Sequence, residues 1–262
     1  MPSVTLNSLD WKHQMESVQG KRILLTGGTT GIGRATAILL ASHGARIYTY
    51  GETRQELDDA LRDIEKAADK GGEVFGAVIE QTRHDEVLRA FEEADARLGG
   101  IDILVSNAAQ PATGVTKMDF EQIEFVVRTN LLGYIACVQE AVRRFQEQGK
   151  GYVVCVGSMS ADVKDTGADV YTATKTGIAG FCDALRKQVN EQNIKVSLVE
   201  PGLVGTDLHE DEQAEPEKQR EMQAQLEMLT AEDIAAAILF CIQQPWRSEI
   251  VTLEIKPSKQ II

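Results

Sequence analysis

Short apolar runs alternate along this chain with longer stretches of helical periodicity, and this alternation restricts the possible folds more than any other feature. The predicted strands are Lys21–Leu25, Ile47–Tyr50, Val74–Val78, Ile101–Ser106, Tyr152–Val156, Lys195–Glu200 and Ile250–Ile255. The predicted helices are Ala35–Leu40, Gln55–Ala68, Asp85–Leu98, Phe120–Gln146, Tyr171–Asn190 and Ala231–Cys241. Strands that alternate with helices indicate a parallel sheet covered on both faces. We therefore predict an α/β fold with a doubly wound parallel sheet, in a single domain over residues 20–262 behind an N-terminal extension over residues 1–19.

The charge balance restricts the partners. The chain has 40 acidic and 27 basic residues, which give a net charge of -13. Such a field repels phosphate, so we expect no nucleic-acid partner and no attachment to an anionic membrane. No apolar run approaches the ~20 residues of a membrane span and the N-terminus lacks a signal-peptide pattern, so we expect a cytoplasmic location.

The cysteines do not form a metal-binding or redox pattern. Cys137, Cys155, Cys182 and Cys241 are scattered, with no CxxC pair and no histidine at the spacing of a metal ligand. We expect reduced, packed thiols and no metal site.

A glycine-rich turn follows the first predicted strand. It reads Thr-Gly-Gly-Thr-Thr-Gly-Ile-Gly over residues 26–33 and leads into a helix. Glycines at this spacing let the backbone turn tightly and approach a ligand, while the helix N-terminus directs its amide groups at a pyrophosphate. Such a turn can also be an ordinary strand-to-helix connection, but its place within a strand-helix-strand unit favours a dinucleotide site.

A second group of residues has the chemistry of proton transfer. Tyr171 and Lys175 are four residues apart at the start of a predicted helix, and therefore share one face of it. A lysine ammonium beside a phenol favours the phenolate and lowers the pKa of the tyrosine toward neutral pH. Ser158 follows a predicted strand and adds a hydroxyl at the carboxyl edge of the sheet. A solvated Tyr-Lys pair is the alternative interpretation.

Together these motifs resemble the short-chain dehydrogenase/reductase family, in its short single-domain branch, over roughly residues 20–255. The glycine-rich turn matches the cofactor turn of that family, and Ser106–Ala109 is similar to its Asn-Asn-Ala-Gly segment. The resemblance implies a Rossmann-like fold and the catalytic tetrad Asn130, Ser158, Tyr171 and Lys175. It also implies these cofactor-binding residues: Gly27, Thr29, Thr30, Gly31, Ile32, Gly33, Glu52, Asn107, Ala108, Tyr171, Lys175, Pro201, Gly202, Val204 and Thr206.

The activity implied by the resemblance is hydride transfer between a nicotinamide cofactor and an alcohol or carbonyl substrate. Tyr171 is then the general acid/base, Lys175 lowers its pKa and binds the nicotinamide ribose, and Ser158 positions the substrate oxygen. Asn130 holds a water that links Lys175 to a proton relay. Two alternatives remain: a nucleotide-binding sensor or scaffold with an inactive site, and a sugar-nucleotide epimerase or dehydratase, which the short segment after Pro201 disfavours.

The cofactor is expected to be NAD. At the end of the second strand, Glu52 can accept hydrogen bonds from a ribose 2′-hydroxyl and would repel a 2′-phosphate. NADP is the alternative, because Arg34 and Arg54 are close enough in sequence to bind that phosphate.

None of the residues expected to shape the substrate pocket is a decisive anchor for one substrate class. These are expected in Gln110–Lys117, in Ala161–Asp169 and in an acidic segment, Asp207–Glu227, which interrupts the alternation and which we predict to be a mobile flap containing His209. The resemblance further implies a homodimer or homotetramer, formed through the helices predicted at Phe120–Gln146 and Tyr171–Asn190.

Overall fold

All the strands of the fold lie in one parallel sheet. The computed structural model describes residues 15–69, 71–164, 167–206 and 215–260. Within these residues the strands are β1 Arg22–Thr26, β2 Arg46–Gly51, β3 Glu73–Val78, β4 Ile103–Ser106, β5 Gly151–Val156, β6 Ile194–Pro201 and β7 Thr252–Ile255. The sheet has seven strands in the order β3-β2-β1-β4-β5-β6-β7. This order confirms the predicted doubly wound α/β fold.

The helices cover both faces of the sheet. They are α1 Gly31–Ser42, α2 Arg54–Ala67, α3 His84–Leu98, α4 Phe120–Val127, α5 Tyr134–Gln148, α6 Ser160–Val163, α7 Asp169–Val189, α8 Pro216–Ala224 and α9 Ala231–Ile242. Within the described ranges, no helix combines the length and the apolar character that crossing a membrane requires.

Alternate residues of β1 pack into two different core layers, one on each face of the sheet. Leu24 packs in the layer that contains buried residues of α3, α5 and α7, whereas Ile23 and Leu25 pack in the layer beneath α1, α2 and α9. The continuous apolar run of β1 follows from this double burial, since both faces of a parallel strand are covered. All four cysteines are buried in these layers, as expected for packed thiols.

The single helix predicted over Phe120–Gln146 is interrupted. A π-helical segment, Arg128–Gly133, separates α4 from α5. Two contacts account for the change: the side chain of Asn130 hydrogen-bonds the backbone of Gln110, and Gly133 packs so tightly that a Cβ atom there would lie 2.6 Å from the carbonyl oxygen of Gln81. An apolar pattern cannot reveal this local widening, which is often found at functional sites.

Three sequence predictions fall partly outside the described residues, among them the pocket segment Ala161–Asp169, of which residues 165 and 166 lie outside. Residues 1–14 of the N-terminal extension lie outside them, while the amide of Glu16 bonds to the carbonyl of Gln243 and Val18 is buried in the core. In the acidic flap, residues 207–214 with His209 also lie outside, but α8 forms a helix that the sequence analysis missed. The boundary of the extension and the mobility of the flap stay predictions.

Candidate active site

The predicted site residues meet at the carboxyl ends of the strands, around the point between β1 and β4 where the strand order reverses. A cleft of about 670 Å³ opens there. The predicted residues that line it are Gly27, Thr29, Thr30, Gly31, Ile32, Glu52, Asn107, Ala108, Ser158, Tyr171, Lys175, Pro201, Gly202, Val204 and Thr206. Gly33 and Asn130 are outside this lining and act on it through their neighbours.

The glycine-rich turn forms one end of the cleft. Gly27 has a φ of 66°, a conformation that side chains disfavour, and a Cβ atom on Gly33 would lie 2.0 Å from the carbonyl oxygen of Gly27. Thr30 precedes α1, and within the described residues its side chain does not cap the first amide groups of that helix. This open helix N-terminus beside a close backbone approach fits the pyrophosphate of a dinucleotide.

Thr26 fixes the loop after β4 against this turn. Its hydroxyl oxygen accepts hydrogen bonds from the backbone amides of Asn107 and Ala108, both at 2.9 Å. The Asn107 side chain donates to the carbonyl oxygen of Gly27 at 3.1 Å. The two loops on either side of the switch point therefore form one hydrogen-bonded unit.

The proton-transfer residues lie at the other end of the cleft. Ser158 follows β5, whereas Tyr171 and Lys175 lie on the first turns of α7. The Ser158 side chain lowers the pKa of the Tyr171 phenol, but burial has the larger effect and raises that pKa to about 12. The arrangement thus holds Tyr171 as a protonated phenol at neutral pH.

Lys175 lies beside Tyr171, and its predicted effect on the pKa of that tyrosine stays a prediction. Its Nζ donates to the carbonyl oxygen of Val156 at 3.0 Å and lies 5.6 Å from the centre of the Tyr171 ring. Lys175 is buried, with 2% of its surface exposed, and burial lowers its own pKa to about 8. Desolvation is the largest influence on the pKa of both groups, since Lys175 is buried and Tyr171 is half-buried in the wall of the cleft.

Both polar atoms of the Asn130 side chain hydrogen-bond the backbone of Gln110. Its Oδ1 accepts from the backbone amide of Gln110 at 2.7 Å, and its Nδ2 donates to the Gln110 carbonyl oxygen at 2.8 Å. The side chain is fully buried and clamps the loop after β4. The predicted hold on a relay water stays a prediction.

The cofactor-selecting end contains Glu52, as predicted. Both carboxylate oxygens of Glu52 accept from Gln110 Nε2 at 3.1 Å. The two arginines that could favour a 2′-phosphate form ion pairs with acidic residues: Arg34 lies 2.6 Å from Asp63, and Arg54 lies 3.6 Å from Asp58.

The sequence analysis did not predict the hydrogen bonds by which three residues support the site. These residues are Thr26, Gln110 and Tyr134. The Tyr134 hydroxyl accepts from the Val156 amide at 2.7 Å and also donates to the Ser106 carbonyl, so it joins the ends of β4 and β5. A threonine that ends a strand, or a glutamine and a tyrosine adjoining matched motifs, has no spacing pattern of its own. Only their position next to Gly27 and Asn130 could have singled them out.

Comparison with known proteins agrees with this geometry. A family model of short chain dehydrogenases matches residues 21–217. The L-rhamnose 1-dehydrogenase (NAD(P)(+)) of Sphingomonas sp. (strain SKA58) is 34% identical over 233 residues, which are 86% of this chain and 90% of that protein. The 3-oxoacyl-(acyl-carrier-protein) reductase of Homo sapiens is 31% identical over 221 residues, or 84% of this chain and 90% of that protein.

A solved structure has the same architecture. The short chain dehydrogenase from Burkholderia cenocepacia J2315, in complex with NADP, superposes with a TM-score of 0.80 at 27% identity and covers 92% of this chain and 98% of that one. The family match spans most of the chain, and it agrees with the glycine-rich turn and the cleft described above. The chain therefore belongs to the short-chain dehydrogenase/reductase family and is an NAD(P)-dependent oxidoreductase that acts on alcohol or ketone substrates.

Proposed function

We propose that Tyr171 is the general acid/base of the hydride transfer, with Ser158 holding the substrate oxygen and Lys175 supplying positive charge beside them. The observation that carries this proposal is that Ser158, Tyr171 and Lys175 line the cleft that also contains the glycine-rich turn, with Lys175 Nζ 5.6 Å from the centre of the Tyr171 ring. Proton donor and cofactor cradle thus open into one space, as the reaction requires.

The roles follow from the protonation of each group. In carbonyl reduction the Tyr171 phenol, whose raised pKa keeps it protonated, gives its proton to the oxygen that gains negative charge. Ser158 donates a hydrogen bond to the same oxygen. The Lys175 ammonium favours the phenolate that remains. Bound nicotinamide supplies or accepts the hydride.

We further propose that the cofactor is held along the whole cleft. Residues Gly27, Thr29, Thr30, Gly31 and Ile32 would bind the pyrophosphate, with Gly33 allowing α1 to approach. Asn107 and Ala108 would contact the adenosine half. At the other end, the residues assigned to the nicotinamide are Pro201, Gly202, Val204 and Thr206, together with Tyr171 and Lys175.

NAD is the cofactor that this cleft favours. Glu52 faces the cleft, and Gln110 holds its carboxylate in place. Arg34 and Arg54, the cations that could bind a 2′-phosphate, each pair with an aspartate, and neither of them lines the cleft. A carboxylate here accepts hydrogen bonds from a ribose 2′-hydroxyl and repels a 2′-phosphate.

A direct assay tests the proposed function. Turnover with NAD and NADP would be followed at the nicotinamide absorbance over L-rhamnose, other sugars, secondary alcohols and 3-oxoacyl thioesters. Sugars and 3-oxoacyl thioesters are included because the two relatives act on these classes. We expect turnover of at least one class with NAD. Stoichiometric NAD binding without turnover of any class would instead support the sensor or scaffold alternative.

A homodimer or homotetramer is proposed as the working assembly. Phe120 on α4 is 72% exposed and Leu132 in the π-helical segment is 56% exposed, and apolar side chains this exposed often mark an interface. Light scattering on the eluted protein would give the mass, and a monomer would contradict the proposal. The cytoplasmic location also stays a prediction, which cell fractionation would test.

A further inference from the structure

Three carboxylates from separate elements converge beside the cleft. Asp162 on α6, Glu200 on β6 and Glu254 on β7 each place a carboxylate oxygen within 4.8 Å of the others, and we call them the carboxylate cluster. Glu200 and Glu254 are register partners on adjacent parallel strands. The three side chains are therefore brought together by the sheet and by the short helix after Ser158.

The buried side chain of Glu200 distinguishes the carboxylate cluster from a group of exposed surface acids. Glu200 is 4% exposed, and its Oε1 has no hydrogen-bond partner among the described residues. Burial raises the pKa of Glu200 to about 7, and the neighbouring Asp162, Glu254 and Asp183 act in the same direction, whereas Lys175 opposes them. A buried carboxylate without a partner is costly, and a bound cation would remove that cost.

The protein compensates this negative charge only in part, through the charge of Lys175. Within the part of the chain that the structure describes, none of the three carboxylates forms a salt bridge. Lys164, the nearest lysine in sequence to α6, directs its Nζ to the backbone carbonyl of Asp162 instead. The cluster thus combines unsatisfied negative charge with an open side, because Asp162 and Glu254 are exposed to water.

We propose that the carboxylate cluster binds one divalent cation, with Ca²⁺ preferred over Mg²⁺. Carboxylate oxygens are the ligands of these hard ions. Ca²⁺ accepts about 6–8 oxygen ligands in flexible geometry, whereas Mg²⁺ demands a near-ideal octahedron and dehydrates reluctantly. The three carboxylate oxygens lie within 4.8 Å of one another, which is close enough for them to bind one such ion. Water completes the coordination on the exposed side.

The ion would connect two segments that flank the active site. Asp162 lies on the helix that follows Ser158, and Glu200 immediately precedes Pro201 in the cofactor cleft. A Cβ atom on Gly157 would lie 3.1 Å from Glu200 Cγ, so Glu200 supports the loop that carries Ser158. None of the three carboxylates lines the cleft, so the proposed ion binds behind the active site and takes no part in hydride transfer.

Calorimetric titration of the metal-free full chain with CaCl₂ tests the proposal, with MgCl₂ and ionic-strength-matched KCl as separate arms. We expect one equivalent of Ca²⁺ to bind, and Mg²⁺ to bind at least about tenfold more weakly. At ten times the dissociation constant, Ca²⁺ should raise the melting temperature by about 3–6 °C. The variants Asp162→Asn and Glu254→Gln, both at exposed positions, should each weaken Ca²⁺ binding at least about tenfold.

Glu92→Gln is the matched control, since Glu92 is an exposed carboxylate on α3, away from the cluster. It should bind Ca²⁺ like the wild type. The proposal is overturned if millimolar Ca²⁺ neither binds nor shifts the melting temperature, or if Asp162→Asn and Glu254→Gln leave the affinity unchanged. Binding and melting are measured without substrate, so neither result depends on the proposed function.

Discussion

The two ends of the cleft differ in the part of the chain that forms them, which is backbone at one end and side chains at the other. The cofactor end is shaped by backbone: Gly27 turns the chain at a positive φ, and Gly33 lets α1 approach the turn. The substrate end is lined by side chains, among them Met159, Val163 and Ala168 beside Ser158 and Tyr171. A backbone cradle needs glycines at fixed spacing and so leaves a sequence pattern, whereas a side-chain wall can be made in many ways. The same difference predicts that the two ends can be damaged separately.

The largest effect is expected at the substrate end. Tyr171→Phe removes the proton donor and should reduce turnover by about 10²–10⁴-fold, because general acid/base catalysis contributes that much. The dissociation constant of the cofactor should change little, since the glycine-rich turn is intact. Tyr48→Phe is the control: its hydroxyl bonds Glu93 and is outside the cleft lining, so turnover should be retained. Near-normal turnover of Tyr171→Phe would reject the assignment.

The next effect is confined to the cofactor end. Glu52→Arg replaces repulsion of a 2′-phosphate by a charge-assisted contact, worth about 1.5–3 kcal/mol or about 10–150-fold in preference toward NADP. Dissociation constants for both cofactors, measured by fluorescence titration, give the shift. Glu52→Gln separates charge from shape and should move the preference in the same direction by less. Tighter binding of NADP than of NAD by the wild type would contradict the proposed role of Glu52.

Asn130 connects the two ends, and its loss should affect both. Asn130→Ala removes the side chain that hydrogen-bonds the backbone amide and carbonyl of Gln110. The loss should lower the free energy of unfolding by about 1–3 kcal/mol. We expect a lower melting temperature and weaker cofactor binding, because Gln110 also holds Glu52. The control Asn190→Ala changes an exposed residue beyond α7 and should alter neither. An unchanged melting temperature for Asn130→Ala would show that the hydrogen bonds between Asn130 and Gln110 do not stabilise the fold.

Some of the features behind these effects could be predicted from the sequence, and others could not. The doubly wound sheet was predictable, because β1 and its neighbours are apolar on both faces. The residues Ser158, Tyr171 and Lys175 were identified by their place in a known pattern. Their pKa values were not, since the direction of the Lys175 ammonium toward Val156 and the depth of burial depend on three-dimensional packing. The π-helical segment and the buried Glu200 were hidden for the same reason.

The smallest expected effect is on the pH profile. Burial lowers the pKa of Lys175 to about 8, so kcat/KM for carbonyl reduction should be level below that pH and fall as the ammonium loses its proton above it. Lys175→Arg keeps its charge at high pH and should abolish the fall. Lys195 is another buried lysine with a lowered pKa, but it lies outside the cleft, so Lys195→Arg should retain the fall. A fall that persists in Lys175→Arg would assign it to another group.

Isotope transfer tests most directly whether this cleft moves a hydride under the control of Tyr171. Reduced NAD carrying deuterium on both positions of nicotinamide C4 is mixed with a carbonyl substrate, and the alcohol product is analysed by mass spectrometry. The account predicts one deuterium on the product carbon and none when unlabelled cofactor is used in D₂O, because a hydride does not exchange with solvent. Tyr171→Phe should bind the labelled cofactor and transfer the label far more slowly. Product without cofactor deuterium, or undiminished transfer by Tyr171→Phe, would contradict it.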